Sequence, residues 1–197
     1  MNSVHYNADM PKIIENLEER ILQTAGRLFW ELGYDQVSMR MLADNLSISP
    51  GTIYNYFATK EEIFTRIFVD SWYRTNTRLE EILTLCMGRE DLDREALTTL
   101  YSDMKQRREV LLAILSSEWR LKTFGEKSRE SLRAVPVDTI RIMFARVLGI
   151  PEDQVDRRDC VAFLHAVRGC LAHYAGNDQE NIEYLHGLLQ MMKARYL

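Results

Sequence analysis

Apolar residues recur at steps of three and four along nearly the whole chain, and no segment shows the every-second-residue alternation of a half-buried strand. Ile14, Leu17, Ile21, Ala25, Leu28, Phe29 and Leu32 fall on one face of a helix running from Ile13 to Leu32. Gly33 follows, where a helix can stop because glycine accepts a positive φ. The pattern predicts an all-α fold with no internal repeat. At 197 residues, 46% of them hydrophobic, the chain can bury one or two cores.

Between Gly33 and Phe64 the helices become unusually short. Ser38 precedes MRMLADNL, where its hydroxyl can accept from an orphan amide of the first turn, and Leu42, Ala43 and Leu46 point inward. After a turn at Ser47 and Ile48, Ser49 caps a third helix with Pro50 at its first position, where the missing amide hydrogen does no harm. Thr59 and Glu62 have capping-box spacing and open a fourth helix, whose buried side continues through Ile63, Phe64, Ile67, Phe68, Ser71 and Trp72.

Beyond residue 75 the pattern stays helical, with breaks expected at GREDLD, KQRRE, Gly125, Pro136 and GIPED. Two long apolar helices close the chain. Asp156 to Ala175 carries Cys160, Leu164, Val167, Leu171 and Tyr174, and Asn181 to Tyr196 carries Ile182, Leu185, Leu188, Leu189 and Met192.

Two short helices joined by a tight turn, the second opening on small and hydroxyl residues, form the layout with which a helix enters the major groove. The run from Ile21 to Phe64 also resembles the DNA-binding domain of TetR-family transcriptional regulators. Ala25, Leu28, Phe29, Gly33, Tyr34, Ser38, Leu42, Ala43, Gly51, Thr52, Tyr54, Tyr56, Phe57, Lys60 and Glu61 carry the resemblance. It implies a DNA-binding domain over residues 12–75, with its helix-turn-helix at 38–57. A helical effector-binding and dimerisation domain then occupies 76–197.

The chemistry of each position can be stated beside the inherited role. Ser38 caps its helix, and the resemblance adds a phosphate contact. Arg40 is one turn in, and by the resemblance its planar fork reaches a base edge such as guanine O6 and N7. Ser49, Pro50, Gly51 and Thr52 make a first turn small enough for close approach, with amides facing the DNA backbone. Tyr54 is divided between phosphate contact and the core, Asn55 suits an adenine edge, and Tyr56 is open between surface and core. Phe57 has no polar atom and belongs to the core. Lys60, beside the cap of the fourth helix, is expected to grip a phosphate with its ammonium. Ser47 stands where the family commonly has glycine, so the path of the turn is open.

Net charge is −4, which gives no general attraction to nucleic acid. Residues 1–75 hold seven Lys and Arg against ten Asp and Glu, but residues 36–60 carry Arg40 and Lys60 against Asp44 alone. A recognition surface made of amides, hydroxyls and a few cations is still able to bind, with a shallow salt dependence.

The resemblance further implies a homodimer through the last two helices, involving Leu164, Val167, Leu171, Leu185, Leu188 and Met192. It also implies a pocket for a small apolar or aromatic effector, for which Trp72, Tyr101, Trp119 and Phe124 are the candidates. The functional expectation is a repressor that binds a pseudopalindromic operator and is released by that effector. The alternative is a helical binding protein that acts through a protein partner.

No nucleotide-binding glycine loop, HExxH or GxSxG motif occurs, so no enzyme activity or cofactor is expected. Cys86, Cys160 and Cys170 form no CxxC pair and read as core thiols. His165 and His173, flanking Cys170, lie about 12 Å apart along one helix and cannot share a metal ion. No apolar run of about 18 residues and no signal segment is present, which favours the cytoplasm.

Overall fold

In a computed structural model, residues 16–85, 91–108 and 124–196 are described, and every regular element among them is helical. In chain order these are α1 (Leu17–Leu32), a 3-10 turn (Tyr34–Gln36), α2 (Met39–Leu46), α3 (Pro50–Tyr54), α4 (Lys60–Leu85), α5 (Leu92–Gln106), α6 (Glu126–Leu148), a second 3-10 turn (Glu152–Gln154), α7 (Arg157–His173) and α8 (Asp178–Lys193). The all-α expectation holds. No helix among the described residues is long and apolar enough to cross a membrane.

Helix α4 organises the rest. Its buried residues Ile63, Phe64, Ile67, Phe68, Ser71, Trp72, Thr75, Leu79 and Leu83 keep one face inward over the whole 26-residue length. The helix packs against α1 and then against α5 and α6, while α2 packs on α1 and α3 on α2. At its N-terminal end Phe29, Tyr34, Phe64 and Phe124 form an aromatic knot, with ring centroids 4.9–5.9 Å apart. Phe124 belongs to the segment that enters α6, and the next amide, Gly125 N–H, donates to Glu61 Oε1 at 2.9 Å. The start of α6 is thereby fixed to the first turn of α4.

The middle of this interior is polar. Arg107 is only 7% exposed, and its guanidinium lies 4.8 Å from the centre of the Trp72 ring. It donates from Nε to the Asp103 carbonyl at 2.9 Å, and its terminal nitrogens donate to Ser71 and Thr75. Thr75 in turn donates to the Asp103 carboxylate, which also accepts from Arg78. Burial pushes the Arg107 guanidinium down to about 10 against the pull of Asp103, so it stays charged at neutral pH. A buried cation is tolerable here because its charge is paired and most of its hydrogens are occupied.

Two expectations about helix limits need correcting. Pro136 was expected to break the chain, yet it is buried inside the continuous helix α6. A proline costs a helix interior about 3 kcal/mol. The packing of Leu132, Val137, Ile140, Met143 and Phe144 against the neighbouring helices outweighs that. Helix α8 starts at Asp178 rather than Asn181, because Asp178 and Glu180 suit the positive end of a helix although they continue no apolar stripe.

The last helix is tied down by a second polar cluster. Asp159, 6% exposed, accepts from Tyr196 Oη at 2.6 Å and Arg195 at 2.5 Å. The same phenol oxygen accepts from the Asp156 amide at 2.9 Å, next to the cap of α7. Cys160 and Cys170 are buried thiols, and burial pushes Cys160 up to about 11. Replacing Tyr196 by Phe leaves both the carboxylate and the amide short of a partner. It should lower stability by about 1–2 kcal/mol in urea unfolding while the helical circular dichroism of the native state is kept.

Candidate nucleic-acid interface

The caps that start α2 and α3 form as the sequence suggests. Met41 N–H donates to Ser38 Oγ at 3.1 Å, and Thr52 N–H donates to Ser49 Oγ at 3.2 Å. Ser49 Oγ also lies 2.9 Å from Thr52 Oγ1, so the two hydroxyls at the start of α3 orient each other. At α4, Glu62 N–H donates to Thr59 Oγ1, but the Glu62 carboxylate accepts from Ala58 N–H at 2.9 Å, one residue outside an ordinary capping box. The carboxylate thus ties the end of the α3 turn to α4.

The turn between α2 and α3 keeps the path that glycine would give it. Ser47 itself adopts the left-handed conformation, φ 56° and ψ 43°. Ile48 N–H donates to Ala43 O and Ser47 N–H to Asp44 O, the paired bonds of a Schellman ending. The end of α6 uses the same pair of bonds with Gly149 in that place, at φ 67°. The open question of the turn is therefore settled in favour of the ordinary path, with a side chain carrying the strain.

The turn and caps leave α3 anchored on one side and bare on the other. Ile53 is fully buried and Phe57 is 5% exposed, as its lack of polar atoms requires. Tyr54 and Tyr56 stand 53% and 46% exposed, which removes both from the core. Pro50, Gly51 and Asn55 are exposed beside them, as are Ser38, Arg40 and Ser49, while Thr52 is half-buried. The N-terminal ends of α2 and α3 are thus both open to solvent.

Lys60 departs from expectation. Its ammonium is turned inward, donating to the carbonyls of Tyr34 and Val37 at 2.8 Å each and lying 4.2 Å from the centre of the Tyr34 ring. Burial lowers its pKa, with Asp35 acting the other way. Burial, aided by Glu61 and Asp35, pushes the Tyr34 phenol up to about 12, so the ring under the ammonium is neutral. In the DNA-free chain the ammonium is bonded to the chain itself, at the carbonyls of Tyr34 and Val37.

Residues 21–67 match the family described as bacterial regulatory proteins, tetR family. Over that segment the chain is similar to the DNA-binding domain of the TetR family. UidR of Escherichia coli is 36% identical over 62 residues, which cover 32% of this chain and 32% of UidR. YuxN of Bacillus subtilis, an uncharacterised helix-turn-helix regulator, is 30% identical over 94 residues, 48% of this chain and 32% of YuxN. The match thus spans about a third of the length of these relatives. The fold extends further than the sequence match. FadR of Bacillus halodurans, a fatty acid degradation regulator, superposes with a TM-score of 0.64 at 16% identity, covering 87% of this chain and 93% of its own. PfmR of Thermus thermophilus does so with a TM-score of 0.60 at 22% identity, covering 86% and 96%.

The other candidate residues have partners within the chain. Trp72 is buried under Arg107, Phe124 is part of the aromatic knot, and the Tyr101 phenol donates to Asp178 and accepts from Asn181. These three have separate packing partners among the described residues, and Trp119 lies outside them. Leu164, Val167, Leu171 and Leu185 are buried within the chain itself, so they cannot be the surface a second subunit meets. Leu188 and Met192 are half-exposed.

The outward faces of α7 and α8 instead carry Ala162, His165, Ala166, Gly169 and His173 on one helix, and Tyr184, Gly187 and Met191 on the other. A strip of small residues with histidines has no apolar signature, which is why periodicity pointed to the core side. Among the described residues no three His, Cys, Asp or Glu side chains are placed to hold a metal.

Ser47→Gly should raise stability by about 1 kcal/mol, since it removes the cost of a side chain in the left-handed region without touching a packed atom. Thermal or urea unfolding of the two proteins measures it, and equal midpoints would refute strain at this turn.

Proposed function

We propose that the chain is a transcriptional regulator, a ligand-responsive repressor that binds a pseudopalindromic operator as a homodimer. Residues 12–75 read the DNA, and residues 76–197 hold the dimer contacts and take up a small apolar or aromatic effector. The observation that carries the reading is the exposed row Pro50, Gly51, Tyr54, Asn55 and Tyr56 along α3 and the turn after it, pinned from behind by Ile53 and Phe57. Such aromatic, amide and proline groups on a solvated helix have no folding role, and they suit phosphates and base edges.

Dimerisation is supported by the outward faces of α7 and α8, where a second copy finds small residues beside Tyr184 and Met191. Tyr184 and Met191 are 64% and 66% exposed. A two-fold axis there puts the two recognition helices one turn of DNA apart, about 34–36 Å. Effector control is supported by α4, whose one buried face packs against α1 at one end and against α5 and α6 beyond it. An effector that prefers one position of α4 shifts operator affinity, and bound operator must weaken effector binding by the same factor.

Selection of duplexes from a random-sequence library should enrich a sequence with two inverted half-sites. Arg40→Ala should then cost about 1–3 kcal/mol of affinity for it. A library in which no sequence is enriched refutes the assignment.

The dimer face has its own test. A Cβ added at Gly169 or Gly187 meets nothing within 4 Å in the single chain. Gly169→Glu and Gly187→Glu should therefore fold as well as the parent, or better by about 1 kcal/mol from helix propensity, yet sediment as monomers. Dimeric variants would move the interface elsewhere.

A further inference from the structure

We infer that Lys60 serves operator binding as a positioning residue, holding the segment before α2 in place from within the protein instead of contacting a phosphate. The inference rests on the DNA-binding reading above and adds what this side chain does for it.

The segment from Gly33 to Val37 must turn the chain from α1 into α2 within five residues. Gly33 has φ 82° and ψ 159°, Tyr34–Gln36 form a 3-10 turn, and Val37 is extended and buried. The 3-10 turn leaves carbonyls at both of its ends, and Lys60 Nζ takes one from each, Tyr34 O and Val37 O, at 2.8 Å. The Val37 carbonyl is bonded to the nitrogen of Ser38. Ser38 Oγ accepts the Met41 amide, and its carbonyl accepts the Leu42 amide at 3.1 Å. The ammonium therefore fixes the point from which the first turn of α2, with Arg40 on it, is projected.

The Tyr34 ring beneath the ammonium is itself held by Phe29, Phe64 and Phe124. A cation on this support has little room to drift. To reach a phosphate it must give up two charge-assisted hydrogen bonds and the ring face, and leave the carbonyl of a buried residue without a donor.

The probe is the duplex enriched by the wild-type chain, with Lys60→Met beside the parent. In the free variant, the amides of Met41 and Leu42 should exchange at least tenfold faster, with those of Phe64 and Phe68 unchanged. Affinity for the duplex should fall about fivefold or more, with the slope of log K against log salt unaltered. A phosphate clamp gives the opposite pattern, unchanged exchange and a slope shallower by about 0.9, and that result overturns the inference.

Should Lys60→Met fail to fold, the wild-type complex decides. The Lys60 ammonium 15N resonance should keep its free-state position and slow proton exchange on the duplex, whereas a coupling from it to a phosphate 31P refutes the proposal. If no duplex is enriched, the DNA-binding reading itself fails, and the role in operator binding fails with it. The amide exchange of the free variant then still reports whether Lys60 holds α2.

Discussion

Helix α4 has to satisfy two interiors with one face, and the rest of the structure follows from that constraint. At about 1.5 Å per residue its 26 residues span about 39 Å, more than a small three-helix unit can cover. Its first turns bury Ile63, Phe64 and Ile67 near α1, and its later ones bury Trp72, Leu79 and Leu83 near α5 and α6. Any rigid tilt of α4 is therefore felt at both ends. Phe124 and the Gly125–Glu61 bond add a second connection close to the first, so the start of α6 moves with the start of α4. Two links at one end resist rotation in a way that a single helix does not.

The polar stretch in the middle of that face has a different consequence. Ser71 and Thr75 occupy stripe positions where Leu or Ala would pack with no partner requirement, and they bond Arg107 and Asp103 on α5 and its end. Buried pairs of this kind add little net stability, because desolvation offsets the attraction. They do restrict the register in which α4 and α5 meet, since a shift by one residue would leave a guanidinium and a carboxylate unpaired in the interior. The contact between the two helices is thus selective more than it is strong.

The parts of the fold that depend on local chemistry were legible in the sequence. Ser38, Ser49 and Thr59 cap where their spacing says, because a cap involves atoms three residues apart. Phe57 was assignable to the core from its composition alone. What was not legible depends on partners far along the chain. Pro136 stays helical because of helices packed on both sides of it, and Lys60 turns inward because the carbonyls it meets lie 23 and 26 residues earlier. Four of the six dimer candidates, Leu164, Val167, Leu171 and Leu185, lie inside the chain for a related reason. Periodicity finds the most apolar face of a helix, and in α7 and α8 that face is already used by the chain's own core.

Loss of Lys60 from the set of available cations sharpens the electrostatic question. Between residues 36 and 60 it leaves Arg40 as the exposed cation against an exposed Asp44, so this part of the surface has no net positive charge. On the proposed DNA-binding reading, attraction at long range is then weak, and affinity comes from short-range groups that act only at the correct distance: the amides at the start of α3, the mutually oriented Ser49 and Thr52 hydroxyls, and the Tyr54 and Tyr56 phenols. Each is useful only if its helix is placed to within a fraction of a hydrogen-bond length. On that reading a chain with so little charge must hold its reading helices more firmly, and the left-handed turn at Ser47 and the inward ammonium of Lys60 are the contacts that would serve that placement.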